Sequence, residues 1–417
     1  MRGHLLFTVL LIAISSIGCA KATIYVPDDY AKIQWAVDNA SDGDTIIVRD
    51  GTYIENIEIS KRITLRSENG SANCIIRADN AGDHVISIFN TFNVVVEGFS
   101  IKGATSSGMA GVYLRNTTAV TLRDVNITEC YYGVYMNAQW SQVNHTTIED
   151  SKITANENGV YIWKDHGKAC YNKVQRCEIT ANTGISIDGG WATSIGNEIR
   201  NNTITCDRSA VLLTIQNENF IVDGNRIEDT GRYDPSIWLK WWGFKDGVIS
   251  NNIISTAEGW GIRVEKGENI TISGNTVKSI SIYQGSSNKL INNNVAEWIE
   301  LYHTDYPYMR GNSMGKFRIY GDFDVHPYYD ESRDYDADID TSNTVNGKPI
   351  YYFNGQSGIT LDGVSAGYIG FYNCSNVEVR NVNIEGNLSE CILILKTTDA
   401  RIINNTLKND FQAGHHT

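Results

Sequence analysis

The chain alternates apolar and polar residues over short stretches, and these stretches recur along most of its length. Between about residues 84 and 320, one phrase ending in an apolar anchor repeats. Its copies are Val125-Asn126-Ile127, Ser151-Lys152-Ile153, Cys177-Glu178-Ile179, Asn202-Thr203-Ile204, Asn225-Arg226-Ile227, Asn252-Ile253-Ile254, Asn275-Thr276-Val277, Asn293-Asn294-Val295 and Asn312-Ser313-Met314. The anchors are 26, 26, 25, 23, 27, 23, 18 and 19 residues apart. Alternation with β-branched residues predicts strands, and a period in the twenties predicts stacked supersecondary units.

A second phrase follows several of these anchors. Its copies are Gly133-Val134-Tyr135, Gly159-Val160-Tyr161, Gly184-Ile185-Ser186, Ala210-Val211-Leu212 and Gly261-Ile262-Arg263. Helical periodicity is absent from these units, and no Leu-x-x-Leu-x-Leu frame recurs, which argues against a leucine-rich repeat. Short strands stacked coil on coil, one coil per twenty-odd residues, describe an all-β solenoid, the single-stranded parallel β-helix.

Asparagine and glycine occupy the predicted corners of the coils. Asn stands two residues before the anchor in six successive coils, at Asn202, Asn225, Asn252, Asn275, Asn293 and Asn312. The preceding position is always Asn or Gly, the residues that best tolerate a left-handed backbone. Stacked Asn side chains can hydrogen-bond from coil to coil as a ladder. We therefore interpret this column as structural rather than catalytic.

The two ends of the repeat region are predicted to differ. Asp28 and Asp29, followed by apolar residues at helical spacing, predict a short amphipathic helix with an acidic N-terminus that covers the first coil. After Tyr320 the pattern breaks into a segment rich in Asp and Glu, which suits a solvated connector. Coils resume near Ile359, and the chain stops at Thr417 without a recognisable cap, as a truncated product would.

The predicted organisation has four parts. Residues 1–22 form a signal peptide, 23–320 form the β-helix with its N-terminal cap, 321–358 form the acidic connector, and 359–417 begin a second β-helix segment. The basic start, the apolar stretch from Leu5 to Ile14 and the A-x-A-like site before Thr23 are typical of an export signal. Lipid attachment at Cys19 is the alternative. No other segment is apolar enough to span a membrane, so we expect a secreted or cell-surface protein.

Charge and cysteine content narrow the set of partners. The chain carries a formal charge of −13, and removal of residues 1–22 would leave 33 basic and 48 acidic residues, a charge of −15. Such a surface repels nucleic acid, whereas it is compatible with cations, including calcium, and with neutral glycans or basic partners.

The cysteines match no usual zinc spacing and predict buried thiols or one or two disulfides. Ten Asn-x-Ser/Thr sequons could carry glycans outside the cell.

Two segments carry a resemblance to a known family. The opening Ile24-Tyr-Val-Pro-Asp-Asp-Tyr30 and Gly43-Asp-Thr-Ile-Ile-Val-Arg-Asp-Gly-Thr-Tyr53 is similar to the start of archaeal NosD-type β-helix surface proteins, within the pectate-lyase-like superfamily. The stretch DTSNTVNGKPIYYF, residues 340–353, resembles the connector between β-helix repeats in that family. With the repeats between them, the resemblance covers nearly the whole mature chain. It implies a right-handed parallel β-helix and identifies architecture rather than chemistry.

The family takes its name from a periplasmic accessory protein of copper-enzyme maturation and is often described as copper-binding or carbohydrate-binding. Copper needs a cluster of soft or imidazole ligands. The five Met are scattered, and the only adjacent histidines are His415 and His416. Copper binding is therefore the least favoured function, and the sequence identifies no cofactor and no metal ligands.

Tryptophan recurs just past the second phrase of several coils, which suggests a track for sugar rings. The candidate ligand-binding residues are Trp140, Trp163, Trp191, Trp241, Trp242, Lys240, Arg263 and Glu265. Aromatic rings on one side of a solenoid would stack on the apolar faces of sugars, while charged groups would bind hydroxyls. The alternative is that these rings only pack loop bases onto the coils.

Catalysis is the second class of function. Trp163-Lys164-Asp165-His166 resembles the W-x-D-H stretch of pectate lyases, although their Arg-x-Pro-x-x-Arg motif has no counterpart. Asp165 and Asp188, one coil apart, could form a carboxylate pair, which makes Asp165, His166 and Asp188 the candidate catalytic residues. The stretch from Tyr320 to His326 is faintly similar to a motif of alginate epimerases.

The sequence thus favours a monomeric cell-surface module that binds an extracellular polysaccharide or has a structural role. A polysaccharide lyase, glycoside hydrolase or epimerase is the alternative.

Overall fold

The computed structural model describes residues 21–321, 334–385 and 391–408. The predicted signal peptide up to residue 20, Cys19, His326, His415 and His416 lie outside these ranges. The described chain is nearly all β, with about 16 turns of a parallel solenoid and one short helix. Three strand faces, here called A, B and C, follow one another around each coil.

Strands stack in register on each face. Face A contains Gly51–Ile54, Cys74–Arg77, Ser100–Lys102, the first parts of Asn126–Asn137 and Lys152–Trp163, Glu178–Ala181, Thr203–Cys206, Arg226–Asp229, Ile253–Thr256, the first parts of Thr276–Tyr283, Asn294–Tyr302 and Ser313–Tyr320, and Thr344–Val345. Face B contains Ile57–Ile59, the first parts of Ile86–Glu97 and Ala110–Arg123, the second parts of Asn126–Asn137 and Lys152–Trp163, Thr183–Asp188, Val211–Thr214, Ile237–Lys240, Ile262–Glu265, and the second parts of Thr276–Tyr283, Asn294–Tyr302 and Ser313–Tyr320.

Face C completes each coil. It contains Thr23–Val26, Thr45–Val48, Thr64–Ser67, the second parts of Ile86–Glu97 and Ala110–Arg123, Thr147–Glu149, Lys173–Gln175, Glu198–Arg200, Ile221–Asp223, Val248–Ser250, Thr271–Ser273, Lys289–Ile291, Tyr308–Arg310 and Asp338–Ile339. Short strands between faces B and C are Val143–Asn144, Ser194–Ile195, Asn217–Glu218, Phe244–Lys245 and Gly267–Glu268.

The apolar anchors form one interior column on face A, as the sequence predicts. Ile127 pairs with Ile153, Ile153 with Ile179, and the register continues to Val295 and Met314. Every anchor is buried. The glycine of the second phrase lies directly against this column, because a Cβ on Gly159 would stand 2.3 Å from Ile179 Cγ2 and 2.7 Å from the carbonyl oxygen of Gly184. Close packing between coils therefore requires glycine there.

The asparagine column forms the predicted ladder. Asn225 Nδ2 donates to Asn252 Oδ1 at 2.9 Å and to the Ile199 carbonyl at 3.0 Å, and its Oδ1 accepts from the Asn202 amide. The same bonds link Asn252, Asn275, Asn293 and Asn312 and extend to Asn343, all buried. The preceding Asn and Gly residues have φ between 53° and 66°. A second buried pair, Asn172 and Asn197, makes the same bonds at another corner.

The N-terminal helix runs from Ile33 to Asn39 and packs Ile33, Ala36 and Val37 against the first coils. The predicted acidic N-terminus is built differently from the expectation. Asp28 and Asp29 precede the helix, and the Glu55 carboxylate accepts the amides of Ile33 and Gln34, each at 3.0 Å. A carboxylate from the turn between Gly51–Ile54 and Ile57–Ile59 thus stabilises the positive end of the helix.

Coils continue past the acidic stretch. Asp338–Ile339 joins face C and Thr344–Val345 joins face A. The remaining strands stack in three parallel columns: Lys348–Asn354, Tyr368–Tyr372 and Ile392–Leu395; Thr360–Asp362, Ser375–Arg380 and Thr398–Ile403; Ser365–Ala366, Asn383–Glu385 and Thr406–Lys408. These last coils enclose a second apolar cluster around Phe371 and Val379.

The seven cysteines from Cys74 to Cys391 are free thiols, and all but Cys391 are buried. Of the two sequence-based alternatives, buried thiols are therefore correct for the part of the chain that the structure describes.

Candidate functional site

The outer surface of face B carries two columns of side chains that alternate with the buried residues. The column that contains Tyr135 runs through Ser87, Tyr113, Tyr135, Tyr161, Ser186, Leu212, Trp238, Arg263, Ser281, Glu300 and Arg318. The column that contains Trp163 runs through Phe89, Arg115, Asn137, Trp163, Asp188, Thr214, Lys240, Glu265, Tyr283, Tyr302 and Tyr320. Aromatic and charged side chains therefore follow one face over many coils.

Loops that leave face B add exposed tryptophans along its edge. Trp140 and Trp191 are 72% and 73% exposed, and Trp241 and Trp242 are 46% and 39% exposed. The positive φ of Trp140 and of Trp241 places these residues at turns. Large exposed aromatic side chains in a row are uncommon on a soluble surface, which makes these loops a candidate interaction surface.

Trp140 forms a compact group with two of the candidate catalytic residues. Its ring stacks on His166, with centroids 4.2 Å apart and planes within 10°. His166 Nδ1 lies 2.8 Å from Asp165 Oδ1. The structure thus brings Asp165 and His166 together and uses the imidazole as part of an aromatic platform.

Trp163 and Asp188 are neighbours on face B. They are paired in register across adjacent coils, and Trp163 is partly buried, with its ring centroid 6.2 Å from that of Tyr161. Asp188 Oδ1 accepts from the Thr214 hydroxyl at 2.6 Å and from the Gly189 amide at 2.7 Å. Trp163 therefore belongs to the floor of the surface, whereas Trp191 and Trp241 rise from its edge.

A lysine that the sequence analysis did not single out lies beneath this region. Lys164 is fully buried, and its Nζ donates to the carbonyls of Ala192 at 2.8 Å and Ile215 at 2.6 Å. Burial lowers its pKa to about 8, against the opposing effect of Asp188 and Asp165. Lys164 thus links its own coil to the loops of the next two coils, one of which carries Trp191.

The densest group of candidate residues surrounds Glu265. Its carboxylate accepts from Trp238 Nε1 at 3.1 Å, from Arg263 Nε at 3.0 Å and from the Trp241 amide at 3.0 Å. Lys240 Nζ lies 4.2 Å from the ring centroid of Trp238 and 5.1 Å from that of Trp241. Lys240, Trp241, Arg263 and Glu265 are therefore one cluster, and Trp238 is the member that the sequence analysis missed.

Three hollows follow face B. The first, of about 540 Å³, is lined by residues that include His84, Tyr113, Arg115 and Trp140. The second, of about 510 Å³, is lined by Ile215, Trp241, Trp242, Glu265, Lys266, Tyr283 and Gln284. The third, of about 280 Å³, lies between Trp260, Trp298 and Lys316. Trp191 approaches the second hollow, since its ring is 6.2 Å from that of Trp242.

Within the described ranges, no three His, Cys, Asp or Glu side chains are grouped so that they could hold a metal ion. In the same ranges, no helix is long and apolar enough to cross a membrane. Asp165, His166 and Asp188 are close to the aromatic surface, but their catalytic role stays a prediction.

Comparison with known proteins places the chain among β-helices. Residues 138–295 match the family described as right handed beta helix region. A cell surface glycoprotein of Methanothermus fervidus is 39% identical over 145 residues, which are 32% of this chain and 23% of that protein. The match therefore covers less than a quarter of that relative.

Solved structures are similar at low sequence identity. PfbA, a surface adhesin of Streptococcus pneumoniae, has a TM-score of 0.46 at 12% identity, over 85% of this chain and 90% of that one. Alginate lyase from Paenibacillus sp. str. FPU-7 has a TM-score of 0.40 at 18% identity, over 70% of this chain and 94% of that one. The matched family and the parallel strand pairing identify the fold as a right-handed parallel β-helix, while the NosD-type resemblance remains a prediction.

Proposed function

We propose that this chain is an exported cell-surface β-helix protein that binds an extended glycan along the outer surface of face B. The observation that carries the proposal is the row of exposed tryptophans, Trp140, Trp191, Trp241 and Trp242, along one edge of that face. A protein that used these rings only to pack loops would bury them and provide partners for their indole N–H groups.

The geometry suits a linear polymer. Parallel strands are spaced about 4.8 Å apart, so side chains in successive coils are regularly spaced, as are the units of a polysaccharide. Trp163 and the tyrosines beside it would form the floor, and the edge tryptophans would stack on sugar rings. Asp188, Arg263 and Glu265 would bind hydroxyls through charge-assisted hydrogen bonds.

Two observations support a location outside the cell. The N-terminal sequence is typical of an export signal, and the relative from Methanothermus fervidus is a cell surface glycoprotein. Surface display would bring an open aromatic face into contact with extracellular polysaccharide.

A lyase, hydrolase or epimerase remains the second candidate through Asp165, His166 and Asp188. Lys164, whose lowered pKa of about 8 would suit a general base, is fully buried and already bonded to two carbonyls. It therefore lacks access to a substrate on face B.

The test is a titration of the purified protein against a polysaccharide panel, with product formation assayed in parallel. Trp191→Ala and Trp163→Ala should each weaken binding by about tenfold, or about 1.4 kcal/mol. Trp35→Ala is the matched control, because Trp35 is 50% exposed but lies on the N-terminal helix, outside the row of edge tryptophans. Parental affinity in both face B variants would refute the binding surface, and product release would favour the enzyme.

A further inference from the structure

Lys240 is a charged side chain held in place by aromatic rings rather than by an acid. Its ammonium lies over Trp238 and Trp241, and no described carboxylate oxygen lies within 4.0 Å of it. Cation–π contacts fix the position of an ammonium but leave its net charge in place. Lys240 therefore presents an uncompensated positive charge on face B.

The nearest acid in the cluster is already engaged. Glu265 accepts three hydrogen bonds, from Trp238, Arg263 and the Trp241 backbone, and forms its ion pair with Arg263. Arg263 and Glu265 thus neutralise each other, and the surplus charge of the cluster is that of Lys240.

A second uncompensated lysine lies at the adjoining hollow. Lys266 is exposed and lines the hollow of about 510 Å³ together with Trp241, Trp242, Tyr283 and Glu265, whose carboxylate is paired with Arg263. No described carboxylate oxygen lies within 4.0 Å of its ammonium either. In a chain whose formal charge is −13, two unpaired lysines beside exposed indole rings make a local positive site.

We propose that this hollow binds a sugar unit that carries a carboxylate or a sulfate, with an indole ring stacked on the sugar, Lys266 in the lining beside the anion, and Lys240, which lies over the lining residue Trp241, adding positive charge at the edge of the hollow. The inference rests on the proposed glycan-binding function and names its ligand class, an acidic polysaccharide. An acidic chain would be repelled by most of this molecule, so the unpaired lysines would fix where along face B it binds.

The experiment compares three probes on the full chain: oligogalacturonate, its carboxyl-reduced neutral counterpart, and a sulfated galactan oligosaccharide. At low salt, at least one acidic probe should bind ten or more times tighter than the neutral one, and the preference should shrink as salt is added. Which acidic probe binds more tightly identifies the carboxylate or the sulfate.

Substitutions at Lys240 test whether this residue is the source of the preference for acidic probes. Lys240→Gln should remove most of it and Lys240→Arg should retain it, since arginine keeps the charge and the contact with indole rings. Lys152→Gln on face A, where Lys152 pairs with Glu178, is the charge-matched control and should bind as the parent does. Equal unfolding midpoints would show that the variants are folded.

The two proposals fail in different ways. If the neutral and acidic probes bind equally, or if Lys240→Gln keeps the full preference, the acidic-ligand inference is overturned while glycan binding stands. If none of the probes and no member of the wider panel binds, both are overturned.

Discussion

The buried side chain of each apolar anchor stabilises the packing of one coil on the next. Ile179 is fully buried, pairs in register with Ile153 and Ile204, and contacts the space that Gly159 leaves open. Such a residue has no polar partner and contributes only through packing, so its removal leaves a cavity that the rigid coils cannot close.

Ile179→Ala should therefore lower the free energy of unfolding by about 2–5 kcal/mol. Lys168→Ala, at an exposed position one coil earlier, should be nearly neutral. Denaturant unfolding followed by circular dichroism measures both variants, and equal midpoints would contradict the assignment of Ile179 to the interior column.

The pKa of Lys164 is lowered from 10.5 to about 8, so Lys164 should make stability depend on pH. Between these values the unfolded chain keeps the proton that the folded chain has released. The contribution of Lys164 to stability should therefore rise with pH across this window and be flat below about pH 8. Its maximum size is about 3 kcal/mol.

The measurement is the unfolding free energy of the parent and of Lys164→Met between pH 7 and pH 10.5. Tyrosines and cysteines also titrate there, but they are shared by both proteins and cancel in the difference. The parent should gain stability relative to the variant above about pH 8; a difference that stays constant with pH would show that Lys164 titrates normally.

At the scale of the element, the asparagine ladder ties faces A and C together at their shared corner. Each interior Asn saturates its amide with a carbonyl of one coil and an Asn of the next. The ladder needs every rung, because removing one side chain leaves donors and acceptors buried without partners on both sides.

Asn225→Ala should cost about 2–5 kcal/mol, since at least two buried backbone groups, the Asn202 amide and the Ile199 carbonyl, lose their partners. Asn294→Ala is the matched control, because Asn294 is an exposed residue of face A. Thermal unfolding measures both variants, and Asn225→Ala should have the lower melting temperature. Similar melting temperatures would mean that the ladder is dispensable.

Elements that repeat at a fixed offset could be predicted from the sequence, and those built once could not. The anchors and the main ladder stand out because each coil repeats them. The Asn172–Asn197 pair, by contrast, spans only two successive coils, and Glu55 caps the helix from 22 residues away. Lys164 looks like an ordinary charged residue, because its burial depends on loops 28 and 51 residues further on.

In the candidate site, too, the residues that repeat from coil to coil could be predicted and the contacts that do not repeat could not. Tryptophans at the edge of face B were found through their recurrence after the second phrase. Trp238 was missed because Ser236-Ile237-Trp238 was not recognised as a copy of that phrase, although Ile237 pairs with Val211 and Ile262. Extending the phrase through every coil would have found it. The hydrogen bonds that join Glu265 to three neighbours depend on side-chain geometry and have no signal in the sequence.

At the scale of the whole molecule, stability is distributed along a one-dimensional stack in which each coil packs mainly against its neighbours. The interior cysteines sample this stack from Cys74 in an early coil to Cys374 in a late one. Burial raises the pKa of Cys74 to about 12 and that of Cys130 and Cys177 to about 11. These thiols are therefore protected from alkylation for two reasons: reagents cannot reach them, and they stay protonated at neutral pH.

Iodoacetamide should therefore label Cys391 first in the native protein, with the six buried thiols labelled only after unfolding. Mass spectrometry of tryptic peptides reads each site. Because the described cysteines form no disulfides, a reducing agent should leave the melting temperature unchanged. Rapid native labelling of several interior cysteines would mean that the coils open locally.

The most direct test of glycan binding on face B is hydroxyl-radical footprinting of tryptophan with and without a bound oligosaccharide. Trp140, Trp191, Trp241 and Trp242 are exposed in the free protein and should lose reactivity on binding, whereas Trp35, which is 50% exposed on the N-terminal helix, should not change. Saturating ligand that leaves all four edge tryptophans as reactive as before, or that protects Trp35 instead, would contradict the account.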